Sequence, residues 1–199
     1  MQNVIKVLVS LMLVGSFAMA RVFIGVEGSG GKSTIDLPSN LYLGSEDKVK
    51  GNRNALGLKI GADLKTSRFY FSYINAGEAK DTIKIRGYET EVTWTSHQFL
   101  ANGEYTPRIT GGLKAILGGY LGLSYIDVDT DPTVFTIDGP GFIIGAKVGA
   151  KYDVGEHHSF ELGVKGEAVL STVKNNQNSD TSSMEEDNIW FFAGYNYKF

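Results

Sequence analysis

The chain has 199 residues, which is enough for one domain with its own core. It contains no cysteine and carries a formal net charge of -3, which excludes disulfide frameworks and thiolate metal sites and provides no basic surface for nucleic acid. Its 25 glycines and its aromatic share of 12% are more typical of kinked strands than of helices.

Residues 1–20 have the features of a secretory signal peptide. Lys6 supplies a positive charge, residues 7–17 form a short apolar run, and Ala18-Met19-Ala20 is an Ala-x-Ala cleavage site. The run is shorter than the roughly 20 apolar residues that a transmembrane helix needs. We therefore expect residues 1–20 to be cleaved during export and residues 21–199 to form a single domain.

From residue 21 onward, apolar residues recur at every second position, which is the pattern of a strand with two different faces. The clearest case is residues 55–64, which read Ala-Leu-Gly-Leu-Lys-Ile-Gly-Ala-Asp-Leu. In chain order the pattern predicts eight strands, at 22–28, 55–64, 68–75, 92–105, 113–127, 141–152, 160–172 and 187–199.

The predicted connections alternate in length. Those around residues 66, 108 and 153–158 are short, whereas those at 29–54, 76–91, 128–140 and 173–187 are longer and polar. Short and long connections therefore lie at opposite ends of the sheet, and an even number of strands places both termini at the short end. This is the arrangement of a bacterial outer-membrane barrel with periplasmic turns and four long extracellular loops.

A soluble barrel of the lipocalin type is the main alternative, because its strands also alternate but turn their apolar side inward. The glycines argue against the soluble barrel, because they lie on the same face of the strands as the charged residues. A narrow, packed lumen needs small residues on that face, whereas a water-exposed surface does not. These glycines are Gly25, Gly57, Gly61, Gly118, Gly122, Gly145, Gly149, Gly163 and Gly194.

Aromatic residues on the apolar face fall into two groups. Near the short turns are Phe69, Tyr105, Tyr152, Phe160, Tyr197 and Phe199, and towards the long connections are Tyr73, Tyr125 and Phe142. Two aromatic girdles flank the apolar band of membrane barrels. The sequence therefore predicts an all-β fold, an eight-stranded antiparallel up-and-down transmembrane β-barrel.

With these features, residues 21–199 resemble the small eight-stranded outer-membrane β-barrels of the OmpA-transmembrane-domain, OmpX and opacity-protein kind. The resemblance implies a place in the bacterial outer membrane, in contact with outer-membrane lipid and lipopolysaccharide. It also implies that Tyr195, Tyr197 and Phe199 form the C-terminal signal that the barrel-assembly machinery recognises. We expect a monomer without cofactor or nucleic-acid partner.

Charged residues alternate with the glycines on the inward face. Buried charges are tolerated only when they are paired and hydrogen-bonded, so we expect a salt-bridge network that plugs the lumen. A charged, narrow pore for ions or small solutes is the alternative. The predicted lumen charges are Glu27, Lys59, Asp63, Arg68, Glu104, Lys114, Lys147, Lys151, Glu161, Lys165, Glu167 and Lys198.

Two motifs suggest chemistry, and neither has the right context. Residues 157–159, His-His-Ser, with Glu161 nearby resemble the catalytic groups of lipid A deacylases, but they fall in a predicted periplasmic turn, and His97 is a weaker candidate. The acidic residues at 127, 129 and 131 begin like an EF-hand loop, but Pro132 stands where that loop requires glycine. We predict no catalytic, cofactor or metal residue.

The expected function is therefore structural or adhesive. Four extracellular loops on a plugged barrel would offer contacts to host or other cell-surface ligands, because loops carry recognition without a readable motif. The acidic loops could also bridge lipopolysaccharide phosphates through divalent ions. A narrow pore is the second hypothesis and a lipid A-modifying enzyme the third.

Overall fold

The computed structural model describes residues 20–37, 48–85, 88–131, 136–175 and 181–199, so the predicted signal peptide lies almost wholly outside it. No helix in this part of the chain is long and apolar enough to cross a membrane. Its strands are β1 (Arg21–Asp36), β2 (Lys48–Asp63), β3 (Ser67–Ile85), β4 (Tyr88–Tyr105), β5 (Arg108–Thr110), β6 (Leu113–Asp131), β7 (Thr136–Val154), β8 (His158–Asn175) and β9 (Thr181–Lys198).

The long strands form a closed antiparallel wall. β4 pairs with β6, and β1 pairs with β9 from Phe23 opposite Lys198 to Asp36 opposite Glu185. The three-residue β5 lies beside β6 at one turn, so eight strands make up the barrel. The predicted eight-stranded up-and-down barrel is confirmed, and closure leaves no open edge among the long strands from Ala55 opposite Ala76 down to the turn end, where the pairing of β2 with β3 lies.

The two ends of the barrel differ. At the end that we call the turn end, the chain reverses through residues 64–66, 106–112 and 155–157, and β1 begins and β9 finishes there. Gly111 and Gly155 adopt φ angles of 53° and 65° in two of these turns, a region that side chains other than glycine rarely enter. We call the opposite end the loop end.

Between the two ends lies a band where the outward residues are apolar. Leu56, Leu58 and Ile60 on β2 are each more than half exposed, whereas Lys59 between them is 4% exposed and faces the lumen. Such a surface suits lipid and not water. Aromatic side chains frame the band on the outer surface, among them Phe160 near the turn end and Tyr125 towards the loop end.

The prediction of four long loops was wrong, because most of those residues continue the strands. Of the predicted loop at 29–54, for example, residues 29–36 belong to β1 and residues 48–54 belong to β2. The connections at 38–47, 86–87, 132–135 and 176–180 lie outside the described residues. The extended strand ends, which we call the collar, comprise residues 32–36, 48–54, 78–85, 88–95, 126–131, 136–140, 171–175 and 181–188.

In the collar the apolar residues move from the outward positions of the strands to the inward positions. In the band, β6 turns Leu117 and Leu121 outward, but further along the same strand Ile126 is buried inside and Asp127 is exposed outside. The physical reason is the surrounding medium, since an outer wall in water needs polar residues and leaves the apolar ones to fill the interior. A search for apolar residues on one continuous face therefore ends each strand too early.

Apolar side chains fill the lumen of the collar. We call this cluster the outer core, and Trp94 lies at 0% exposure within it and donates a hydrogen bond from Nε1 to Ser33 Oγ at 3.0 Å. Gly51 makes room for the indole, because a Cβ there would lie 2.8 Å from Trp94 Cη2. The outer core consists of Ile35, Leu37, Val49, Ala79, Ile83, Val92, Trp94, Ile126, Val128, Ile137, Val173 and Met184.

Candidate functional site in the barrel lumen

Seven of the twelve predicted lumen charges meet in one cluster at the level of the apolar band. We call it the central network, and each member is at most 5% exposed. The strands bring these residues together because their inward side chains share one narrow lumen, so that Lys165 on β8 reaches past β9 to Glu27 on β1. The members are Glu27, Lys59, Arg68, Glu104, Lys147, Glu161 and Lys165.

Every carboxylate of the central network contacts two cations. Glu27 lies 2.8 Å from Lys165 Nζ and 3.3 Å from Lys59 Nζ, and Glu161 contacts Arg68 at 2.6 Å and also Lys59. Glu104 accepts from Arg68 and lies 2.8 Å from Lys147 Nζ. Because every carboxylate is shared between two cations, removing one side chain leaves a buried charge with fewer opposite charges around it.

Little space remains inside this cluster. The cavity lined by Glu27, Lys59, Tyr70, Lys147 and Lys165 has a volume of about 10 Å³. That is about the space needed for one water molecule. The side chains of the central network therefore fill most of the lumen at this level.

Four further predicted charges, Asp63, Lys114, Lys151 and Lys198, lie at the turn end and not in the central network. Lys151 contacts Asp63, and three lysines surround Asp153, with Nζ of Lys198 at 2.9 Å, of Lys114 at 3.1 Å and of Lys151 at 3.6 Å. The sequence analysis did not include Asp153 among the lumen charges, although Asp153 occupies an inward position of β7.

Glu167, the remaining predicted lumen charge, contacts no cation of the described segments within salt-bridge distance. Instead its carboxylate accepts hydrogen bonds from four uncharged donors: Gln98 Nε2 at 3.0 Å, Tyr120 Oη at 3.0 Å, Asn188 Nδ2 at 3.1 Å and Trp190 Nε1 at 3.1 Å. This cage satisfies both oxygens of a buried carboxylate without an ion pair.

A pair that the sequence did not reveal, Arg53 and Glu186, crosses the lumen between the central network and the outer core. Arg53 Nη1 donates to Glu186 Oε1 at 2.6 Å, and both side chains are 0% exposed. The same guanidinium donates to the carbonyls of Gly77 and Ala76 and to Ser96 Oγ. The two carbonyls lie at a bulge of β3, so Arg53 ties β2, β3, β4 and β9 together.

The residues of the predicted assembly signal lie on the outside of the barrel near the turn end. Tyr195 Oη and His158 Nδ1 are 2.7 Å apart, and the ring of Tyr197 packs against Phe199 at 5.1 Å between centroids. Phe199 is 64% exposed and donates its backbone N–H to Val22 O at 2.9 Å. Recognition of these residues by the assembly machinery stays a prediction.

The candidate catalytic groups do not converge. His158 faces outward, Ser159 is buried on the inward side, and His157 Nδ1 lies 2.8 Å from the carbonyl of Lys198. His97 is paired with Tyr73 on the outer surface at 2.9 Å. Among the described residues, no three His, Asp or Glu side chains are grouped so as to hold a metal ion.

No protein-family model matches the chain, and no curated protein matches it. Solved structures do match. Neisserial surface protein A is 17% identical with a TM-score of 0.57, over 89% of this chain and 97% of that one. Ail, the attachment invasion locus protein of Yersinia pestis, is 12% identical with a TM-score of 0.51, over 89% and 99%.

A further solved structure that matches is that of the outer membrane protease OmpT from Escherichia coli. It is 10% identical with a TM-score of 0.42, over 92% of this chain and 98% of that one. At such identities a match to a solved structure concerns the fold alone, and function has to be argued from the side chains.

Proposed function

We propose that this chain, which has the fold of the small eight-stranded outer-membrane β-barrels, is a non-conducting surface protein with a structural or adhesive role. The observation that carries the proposal is the filled lumen. In the proposed orientation the turn end faces the periplasm and the collar stands outside the cell. The barrel acts as an anchor, without enzymatic activity, and the collar provides the contact surface.

Two successive layers support the absence of conduction. The central network leaves a cavity of about 10 Å³ at the level of the band, and the outer core fills the lumen above it with apolar side chains. An ion that passed the charged layer would then have to lose its hydration shell among aliphatic and aromatic groups, which costs several kcal/mol or more. Both layers argue against the narrow-pore hypothesis.

We expect planar bilayers containing the refolded protein to show no steady conductance above that of protein-free bilayers. An open porin in the same bilayers provides the positive control. A steady channel whose conductance changes in Lys147→Ala would contradict the plug, because Lys147 lies 2.8 Å from Glu104 inside the central network. Heat-modifiable migration in gels checks that each sample contains folded barrel.

The collar supports a contact role because its outer wall is polar and built from strands. Most neighbouring strands remain paired there, as where Trp94 stands opposite Val128, although the pairing of β2 with β3 ends at Ala55 opposite Ala76. The outer core supports the wall from inside. Preorganised surfaces bind with a smaller loss of conformational entropy than flexible loops do. The collar therefore provides the fixed surface that the predicted loops were expected to supply.

The absence of cysteine in the chain makes this orientation testable. Asn52→Cys places a thiol on the outer face of the collar, and Ile109→Cys places one in β5 at the turn end. We expect a membrane-impermeant maleimide to label Asn52→Cys on intact cells and Ile109→Cys only after permeabilisation. The reverse pattern would contradict the orientation.

The Asn52→Cys variant also tests adhesion. Attachment of a bulky polyethylene-glycol maleimide at Asn52→Cys should reduce adherence of expressing bacteria to cell monolayers, because it covers the collar. Unlabelled Asn52→Cys cells provide the matched control. Equal adherence with and without the bulky label would argue against a contact role for this face of the collar.

A further inference from the structure

The turn end contains an open basin whose charge is unbalanced. Its volume is about 480 Å³, and it lies among the turns, above the buried Lys151. Five cationic residues line it: Arg21, Lys65, Arg108, Lys114 and Lys198. Three carboxylates line it: Asp63, Asp153 and Glu156. With Lys151, the basin has twice as many cations as carboxylates, in a chain whose net charge is -3.

The existing ion pairs do not remove this surplus. Asp153 has one negative charge and three lysine neighbours, at 2.9, 3.1 and 3.6 Å. Lys198, Lys114 and Lys151 are each at most 8% exposed, so water screens their mutual repulsion poorly.

Two of the cations have side chains that are available for a ligand. Lys65 lies in the turn between β2 and β3 and Arg108 begins β5, and both are exposed at the rim. Within the described ranges, neither side chain forms an ion pair or hydrogen bond. Arg21 at the same rim contacts only Glu156, at 3.4 Å between two exposed groups, and such a pair is weak.

We propose that this basin binds a phosphate-bearing anion. A multiply charged phosphate suits the surplus better than a monocarboxylate does, because it can neutralise several cations at once. Arg108 offers a planar set of donors for phosphate oxygens, and the lysines add point charges around them. The volume lies within the range of pockets for small ligands.

The basin is preorganised, which favours binding. Backbone hydrogen bonds tie its turns to the strand ends, including Lys198 N to His157 O at 2.7 Å and Asp153 N to Gly112 O at 2.9 Å. Three buried lysines are already held in place by Asp153, so a ligand orders few further side chains. Little rotamer entropy is then lost on binding.

The test uses the full barrel in an uncharged detergent at low salt, titrated with inorganic pyrophosphate and followed by calorimetry. We expect saturable binding to the unaltered protein and little with acetate. Lys65→Gln together with Arg108→Gln should weaken binding by roughly tenfold or more, since each removes a charge-assisted contact. Lys32→Gln together with Lys50→Gln, a charge-matched change on the outer face of the collar, should leave binding unchanged.

Added salt should weaken binding of pyrophosphate, because it screens the partly exposed charges of the rim. Heat-modifiable migration of each variant shows that the barrel has folded, and neither altered rim residue forms a side-chain contact that folding requires. Absence of saturable binding in the folded, unaltered protein would overturn the proposal. An equal loss in the variant with both Lys32→Gln and Lys50→Gln would also overturn it, since the effect would then follow net charge and not the basin.

The phosphate has two possible sources, a membrane lipid headgroup or a soluble anion. Nanodiscs made with phosphatidylglycerol or with phosphatidylcholine distinguish them. Weaker pyrophosphate binding in the anionic nanodiscs alone identifies a competing lipid headgroup in the basin. Equal binding in the two lipids identifies a soluble anion as the ligand.

Discussion

Replacing Arg53 with methionine should lower the free energy of unfolding by about 3–5 kcal/mol, as expected when one partner of a buried ion pair is removed. The change leaves Glu186 without its cation at 0% side-chain exposure. It also removes the donors to the carbonyls of Gly77 and Ala76 at the bulge of β3. Urea unfolding of the barrel in lipid vesicles measures the loss.

The double change Arg53→Met with Glu186→Met should recover part of that loss, because no unpaired carboxylate then remains inside. The unrecovered part reports the hydrogen bonds that the two side chains made to other groups, which are the two carbonyls of the bulge, Ser96, Ser33 and Asn188. Lys80→Met is a matched control on the outer wall, where Lys80 is about half exposed, and it should change stability little. If Arg53→Met and Lys80→Met unfolded at the same urea concentration, the cross-lumen role of Arg53 would be wrong.

Replacing Trp94 with alanine should cost about 3–5 kcal/mol, the usual range when a buried aromatic side chain is removed from a packed core. Trp94 is 0% exposed in the outer core, and its hydrogen bond to Ser33 is lost as well. The collar should loosen before the membrane band does. Trypsin cleavage at Lys50 or Lys80 in the collar should therefore become faster.

Phe99→Ala is the matched control for Trp94→Ala, because Phe99 is another aromatic residue of β4 but is 63% exposed on the lipid side. Lipid takes up the space that the ring leaves, so we expect a smaller loss of stability and no faster cleavage of the collar. Equal protease resistance of Trp94→Ala and the unaltered protein would contradict the packing role of the outer core.

The fold could be predicted because lipid imposes a strong and simple pattern. Residues 55–64 and 113–125 repeat apolar and small or charged residues at period two, and both segments form strands of the band. The closing pair of β1 and β9 follows from the same physics, since an unpaired edge cannot remain in hydrocarbon. None of these steps required a side-chain contact to be known.

The collar could not be predicted in the same way because its medium differs. At Ile126 and Asp127 the apolar residue lies inside and the charged residue lies outside. A search that requires apolar residues at the outward positions therefore ends the strand there, although the strand continues. Arg53 and Glu186 were missed for this reason, because both lie in segments assigned to loops. A search that allowed apolar residues to move from the outward to the inward positions within one strand would have found both residues.

The sequence also did not predict which side chains contact each other inside the lumen. Parity places Glu167 and Lys198 inside, but it does not say that Glu167 meets four neutral donors or that Lys198 meets Asp153. Those contacts depend on the stagger between neighbouring strands, which fixes how far apart two inward residues lie along the barrel axis. Register is set by the whole closed sheet and not by any one strand.

The boundary between the band and the collar also determines which membranes suit this barrel. On the outer surface it runs between Tyr125 and Asp127 on β6 and between Ile189 and Asp187 on β9. A hydrocarbon layer a few Å thicker would surround these carboxylates with acyl chains, and because the closed wall cannot shorten, the bilayer itself would have to thin around it. Mismatch of this kind costs fractions of a kcal/mol per Å and sorts proteins between membranes. The outward carboxylates next to the band thus set the greatest hydrocarbon thickness that the barrel accepts without thinning the bilayer.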